Sequence, residues 1–130
     1  MTDQSGEGVR IVRGEDLQTI RRNGNGRATA FDFTGEGGTH TWIGTVTLQP
    51  GGNTGGHHHG RHEVAVYVIS GRCELRWGEH LDRYAEIGAG DFAYFTPGIP
   101  HQERNLSDHK TVEFLVVRSD NERIVVPVEI

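Results

Sequence analysis

The sequence predicts an all-β fold, a sandwich or closed barrel, on three observations. About nine short stretches rich in β-branched and aromatic residues recur along the 130 residues. Nineteen glycines punctuate the spaces between them, as tight turns between strands require. No stretch carries the sustained 3.6-residue apolar period of a long amphipathic helix.

In chain order, residues 1–8 are polar and read as a flexible tail ahead of one domain over 9–130. A short strand is expected at 9–12 and a turn or two of helix at 15–22. Asn23-Gly24-Asn25-Gly26 reads as a loop, because Asn and Gly tolerate positive φ. A strand at 28–33 is broken by the glycines of 35–38. The next strand, 41–48, places Trp42, Val46 and Leu48 on one face. A Pro- and Gly-containing loop at 49–56 leads to a knot of histidines. Residues 64–69 form the strongest strand signal, turned by Ser70-Gly71 into a return strand at 72–77. Further strands are expected at 83–87, 92–95, 111–118 and 124–128.

Composition narrows the function. The formal net charge is −5 with a pI near 5.9, and Lys and Arg form no run. Nucleic acid and anionic membrane surfaces are therefore poor partners. The single cysteine, Cys73, excludes an internal disulfide. The N-terminus has no apolar signal-peptide core, and no apolar run approaches the ~20 residues of a membrane span. A cytoplasmic setting is the expectation.

The chemistry concentrates in two segments. The first is Gly51-Gly52-Asn53-Thr54-Gly55-Gly56-His57-His58-His59-Gly60-Arg61-His62-Glu63. The second runs from Gly90 through Thr96-Pro97-Gly98-Ile99-Pro100-His101 to Asn105. Alternate residues of an extended chain share a face, so His57 and His59 point one way and His58 the other. Paired imidazoles suit zinc, copper, iron or nickel, and an added carboxylate, for which Glu63 is placed, admits manganese. His101 follows a turn that would present its ring at the start of another strand.

These segments resemble the two signature motifs of the cupin superfamily. The first motif reads G, five residues, H, one residue, H, three or four residues, E, six residues, G; Gly51, His57, His59 and Glu63 fit, and Gly71 comes one residue late. The second reads G, five residues, P, one residue, G, two residues, H, three residues, N; Gly90, Gly98, His101 and Asn105 fit, with Thr96 at the proline position. The resemblance implies a double-stranded β-helix, a jelly-roll barrel, with one divalent metal ion inside: Zn, Fe, Mn, Ni or Cu. Its nearest likeness is to small stand-alone RmlC-like bacterial cupins, which implies a homodimer.

The late Gly71 leaves the metal set open. Counted back from Gly71, the acidic position falls on Val64. Either a β-bulge turns Glu63 inward and the ligands are His57, His59, Glu63 and His101, or Glu63 faces away and the site is three histidines, with His62 as the alternate fourth. In the second case Glu63 or His62 is the candidate general base. His40, His80 and His109 read as surface residues, and His58 as a supporting or exposed one. Cys73 reads as a small buried residue, Trp42, Phe92, Tyr94 and Phe95 as core or pocket wall, and Asp91 as a turn former.

Two functions fit. One is a metalloenzyme acting on a small polar organic molecule in the barrel, by oxygenase, isomerase or lyase/cyclase chemistry. The other is a non-catalytic module that binds a small molecule or is stabilised by its metal.

Overall fold

The structure, a computed structural model, describes residues 8–32, 41–119 and 126–128. The expectations for 1–7, for Phe33, for the glycines of 35–38, for His40 and for 124–125 lie outside the described residues.

Eleven strands are described: β1 Thr19–Arg22, β2 Asn25–Phe31, β3 Thr41–Leu48, β4 His57–His58, β5 Val64–Ser70, β6 Arg72–Trp77, β7 Arg83–Gly88, β8 Phe92–Phe95, β9 His101–Asn105, β10 Val112–Ser119 and β11 Val126–Pro127. They form two antiparallel sheets, ordered β1-β2-β3-β10-β5-β8 and β11-β4-β9-β6-β7. The pairing has a simple logic. From the β6–β7 hairpin outward, β5 pairs with β8, β4 with β9 and β3 with β10. One long hairpin is thus coiled so that successive strand pairs fall in alternate sheets. This is the double-stranded β-helix implied by the two motifs.

Period-two burial closes the barrel. Val64, Val66 and Val68 of one sheet meet Cys73 and Leu75 of the other, with Leu48, Phe95, Val112 and Phe114 completing the core. Removing such side chains from water contributes roughly 1.5–3 kcal/mol each. Trp42 and Leu48 are fully buried on the inner face of β3, as their spacing predicts.

Four local expectations fail in whole or in part. The segment 15–22 is not helical: a single 3-10 turn, Gly14–Asp16, is followed by β1. Asn23-Gly24, with φ of 52° and 81°, is a two-residue hairpin turn that pairs β1 with β2, and Asn25 and Gly26 belong to the strand. This turn twists in the sense that flanking strands need, so pairing overrides a weak local helix preference. No strand forms over 9–12, where only Val9 makes an isolated bridge. Phe92 is not a core residue: it is 77% exposed, because Ala93 and Phe95 take the inner face of β8, while Tyr94, 55% exposed, lines a cavity wall as expected.

Candidate metal centre

Strand order brings the second histidine segment beside the first. In the β4–β9 ladder His57 stands opposite His101, and in the β9–β6 ladder His101 stands opposite Trp77. Gly60, in the left-handed region at φ 59°, and the His62 N–H to His59 carbonyl bond turn the chain from β4 toward β5 and keep His59 beside the pair.

The nitrogens of His57, His59 and His101 lie within 4.8 Å of one another. Ring centroids are 4.4 Å apart for His57–His101, 4.9 Å for His57–His59 and 5.4 Å for His59–His101. His57 Nδ1 donates to the Gly55 carbonyl at 2.9 Å, and His101 Nδ1 to the Ile99 carbonyl at 3.1 Å. A carbonyl only accepts, so the proton sits on Nδ1 and Nε2 keeps its lone pair. That backbone anchoring is the arrangement metal-binding imidazoles adopt. Burial holds the His101 imidazole below its ordinary 6.5; the nearby Glu103 carboxylate only partly offsets this. His101 is therefore neutral, as a ligand must be. The donor set fits a divalent first-row metal.

Phe95 reaches across from β8 and stacks on His101, centroids 4.0 Å apart and planes within 12°. Behind it lies a cavity of about 540 Å³ lined by Leu75, Trp77, Ala85, Ala93, Phe95 and Ile99, with Arg83, Tyr94 and Thr96 as polar members.

Glu63 does not join the histidines. Its side chain is on the outer face, where its carboxylate accepts a 2.6 Å hydrogen bond from the Tyr94 hydroxyl. That bond raises the Tyr94 pKa above its ordinary 10.0. No bulge turns Glu63: Val64 pairs in register with Phe95 and Arg118, and the one irregularity of the β5–β10 ladder lies at Glu113/Phe114, opposite the far end of β5. Val64, at the acidic position counted from Gly71, is the inward residue, 3% exposed. His62 is buried but also stands apart from the cluster, its Nδ1 bonded to the Ser119 carbonyl. His58 points away, and its Nδ1 accepts the Gly60 N–H at 3.0 Å. His80 and His109 are exposed.

Asn105 of the second motif and the turn former Asp91 serve the scaffold. Asn105 Nδ2 reaches the carbonyls of Leu48, Gln49 and Lys110, and its Oδ1 accepts the Ser107 N–H. Asp91 accepts the Gly88 N–H at 2.8 Å and closes the β7–β8 turn. Glu103 is one residue the motifs do not single out. It is buried beside His101, and strict alternation along His101, Glu103 and Asn105 is the signal that marks it.

The model of the cupin domain matches residues 44–118, more than half of the chain. The chain is a cupin. This cupin superimposes on solved structures across its length. One is the polyketide cyclase RemF from Streptomyces resistomycificus, 24% identical, covering 94% of this chain and 87% of that one, with a TM-score of 0.78. Another is a conserved protein with a double-stranded β-helix domain from Klebsiella pneumoniae, 19% identical, covering all of both chains, TM-score 0.79. A third is a predicted oxalate decarboxylase from Thermotoga maritima, 19% identical, covering 85% of this cupin and 99% of that chain, TM-score 0.74. At these identities the likeness concerns the fold. No curated protein matches the sequence. Among the described residues no helix is long and apolar enough to cross a membrane.

Proposed function

We propose that this cupin is a metal-dependent enzyme in which His57, His59 and His101 hold one divalent ion against a small organic substrate. The observation that carries the reading is the convergence of three imidazoles within 4.8 Å, two with Nδ1 tied to backbone carbonyls. Zn, Fe, Ni and Cu suit three imidazoles, and Mn would need a carboxylate besides. When bound, the ion would polarise a substrate carbonyl or acidify a water. The protein's own part is orientation and exclusion of water. The apolar wall of Leu75, Trp77, Ala93 and Ile99 would take the substrate's carbon skeleton, and Arg83 an acidic group on it. Oxygenation, isomerisation and lyase or cyclase chemistry share these requirements. Neither Glu63 nor His62 reaches the cluster, so neither is proposed as the general base.

A second reading has its own support. His101 is 1% exposed and covered by Phe95, as in a site that staples a fold rather than one that meets substrate. It predicts ligand binding without turnover and a large drop in Tm on chelation.

Elemental analysis of purified protein tests the metal, with about one ion per chain expected. The His57→Ala/His101→Ala double variant should carry almost none, and His109→Ala, exposed on the surface, should carry the full amount. Carbonyl-bearing acids of a size to fit the cavity are then screened for turnover. A substrate turned over equally well by the metal-free double variant would overturn the enzyme reading. A homodimer remains the proposed assembly. The outermost strand β1 is exposed throughout, Ile20 to 74%, and sedimentation velocity over a concentration series tests it.

A further inference from the structure

We infer that Glu103 supplies the carboxylate of the metal site, from a different strand than the sequence spacing points to, and that Thr54 positions it. The inference rests on the metal reading above.

The side chain of Glu103 lies inside the barrel. The burial pattern of β9 puts His101, Glu103 and Asn105 on one inward face, and Glu103 is only 8% exposed, opposite Leu75. A carboxylate so placed must be compensated, since removing an unpaired one from water costs several kcal/mol. Half of that compensation is visible. Thr54 Oγ1 accepts the Glu103 N–H at 3.0 Å and sits 2.9 Å from Oε2, to which its hydroxyl donates. Oε1 is turned the other way, 3.8 Å from Nε2 of His101.

That last distance is informative. It is too long for a hydrogen bond, which needs roughly 2.7–3.2 Å. Nε2 is the nitrogen left with a lone pair once Nδ1 donates to Ile99. Two lone-pair atoms therefore face each other in a buried setting. Donors bound to one metal at about 2.1 Å each can stand up to about 4.2 Å apart, and 3.8 Å falls within that span. A cation between them would satisfy both; Glu103 is not in the group of donors that lie within 4.8 Å of one another, so its carboxylate would turn toward His57 and His59 to share their ion. One carboxylate would also offset half the charge of a divalent ion that neutral imidazoles leave untouched.

The Thr54 clip ties this donor to the others. The Thr54 N–H donates to the Glu103 carbonyl, joining the loop ahead of β4 to β9. The residue after Thr54 is Gly55, whose carbonyl holds His57. One loop, Thr54-Gly55, thus holds both Glu103 and His57.

The test uses the full chain stripped with chelator and titrated calorimetrically with Mn²⁺ and with Zn²⁺. Glu103→Gln keeps the shape and removes the charge. It should weaken binding by about 10–100-fold, more for Mn²⁺, which prefers oxygen donors, than for Zn²⁺. Glu63→Gln should bind as wild type does. Thr54→Val leaves Glu103 in place but unfastened; it should weaken Mn²⁺ binding by a smaller factor and alter the visible spectrum of the Co²⁺-loaded protein. That spectrum also serves if Glu103→Gln does not fold. Wild-type affinity for both ions in Glu103→Gln, or an unchanged Co²⁺ spectrum in Thr54→Val, overturns the inference and leaves the three-histidine reading standing. A wild-type protein that binds neither ion overturns both.

Discussion

His57 and His101 face each other across the β4–β9 ladder, and each ties Nδ1 to the carbonyl of the residue two places before it, Gly55 and Ile99. The two imidazoles are mirror uses of one local device. In each, a turn delivers the histidine and its own backbone fixes the tautomer. The tautomer of each ring is thus set by its own local backbone, while Phe95 packs on the face of His101.

Holding His101 neutral makes apo stability depend on pH. Its folded pKa is lowered from 6.5, mainly by burial. The unfolded chain therefore binds more protons as pH falls through that value, and stability falls with it. Urea unfolding of the chelated protein should give a lower midpoint at about pH 5.5 than at about pH 7.5. Replacing His101 with Gln should shrink the difference. A midpoint that rises on acidification would contradict the neutral, buried assignment.

Glu63 stands apart from the three histidines and accepts the Tyr94 hydroxyl, so its removal should touch Tyr94 and not the cluster. Glu63→Gln should keep its full metal content and shift Tm by less than about 2 °C. The Tyr94 pKa, raised chiefly by the hydrogen bond from its hydroxyl to Glu63, should move back toward 10.0. Phenolate absorbance in an alkaline titration reads this directly. Loss of metal in this variant would return Glu63 to the ligand set.

Gly71 is needed for its backbone. Its φ is +87°, and a Cβ there would sit 2.6 Å from the Thr111 carbonyl oxygen. Gly71→Ala should cost about 1–3 kcal/mol in denaturant unfolding. Gly14→Ala, where a Cβ meets nothing within 4 Å, should be near neutral. Equal effects at the two sites would show that the turn is not constrained.

Cys73 should be inert. It is fully buried, and burial, with the charge of Glu103 nearby, pushes its thiol up to about 12. At about pH 8 on the order of one molecule in ten thousand carries a thiolate. Iodoacetamide should label it only after denaturation, with the adduct read by mass spectrometry. Rapid labelling of the native protein would refute the burial.

Much of this was legible in the chain. Period-two patterning marks β3, β5 and β6 because each packs one face on the core, and that requirement writes itself into alternate residues. The spacing of Gly51, His57, His59, Gly90, Gly98 and His101 is equally local, since turns and strand parity set it. What local rules could not decide was which residues on neighbouring strands face the same point. The one-residue offset before Gly71 left Glu63 and Val64 competing for the inward position. The unbroken β5 ladder gives it to Val64. The carboxylate that does lie beside His101 is Glu103, which strand parity with His101 marks and which the Thr54 contact holds in place. Sequence alone determined the barrel and the histidines, because each depends on neighbours along the chain. Tertiary structure decided that Glu63 stands apart from the histidines and that Glu103 is clipped by Thr54, because these depend on contacts between segments far apart in the chain, 49 residues for the second.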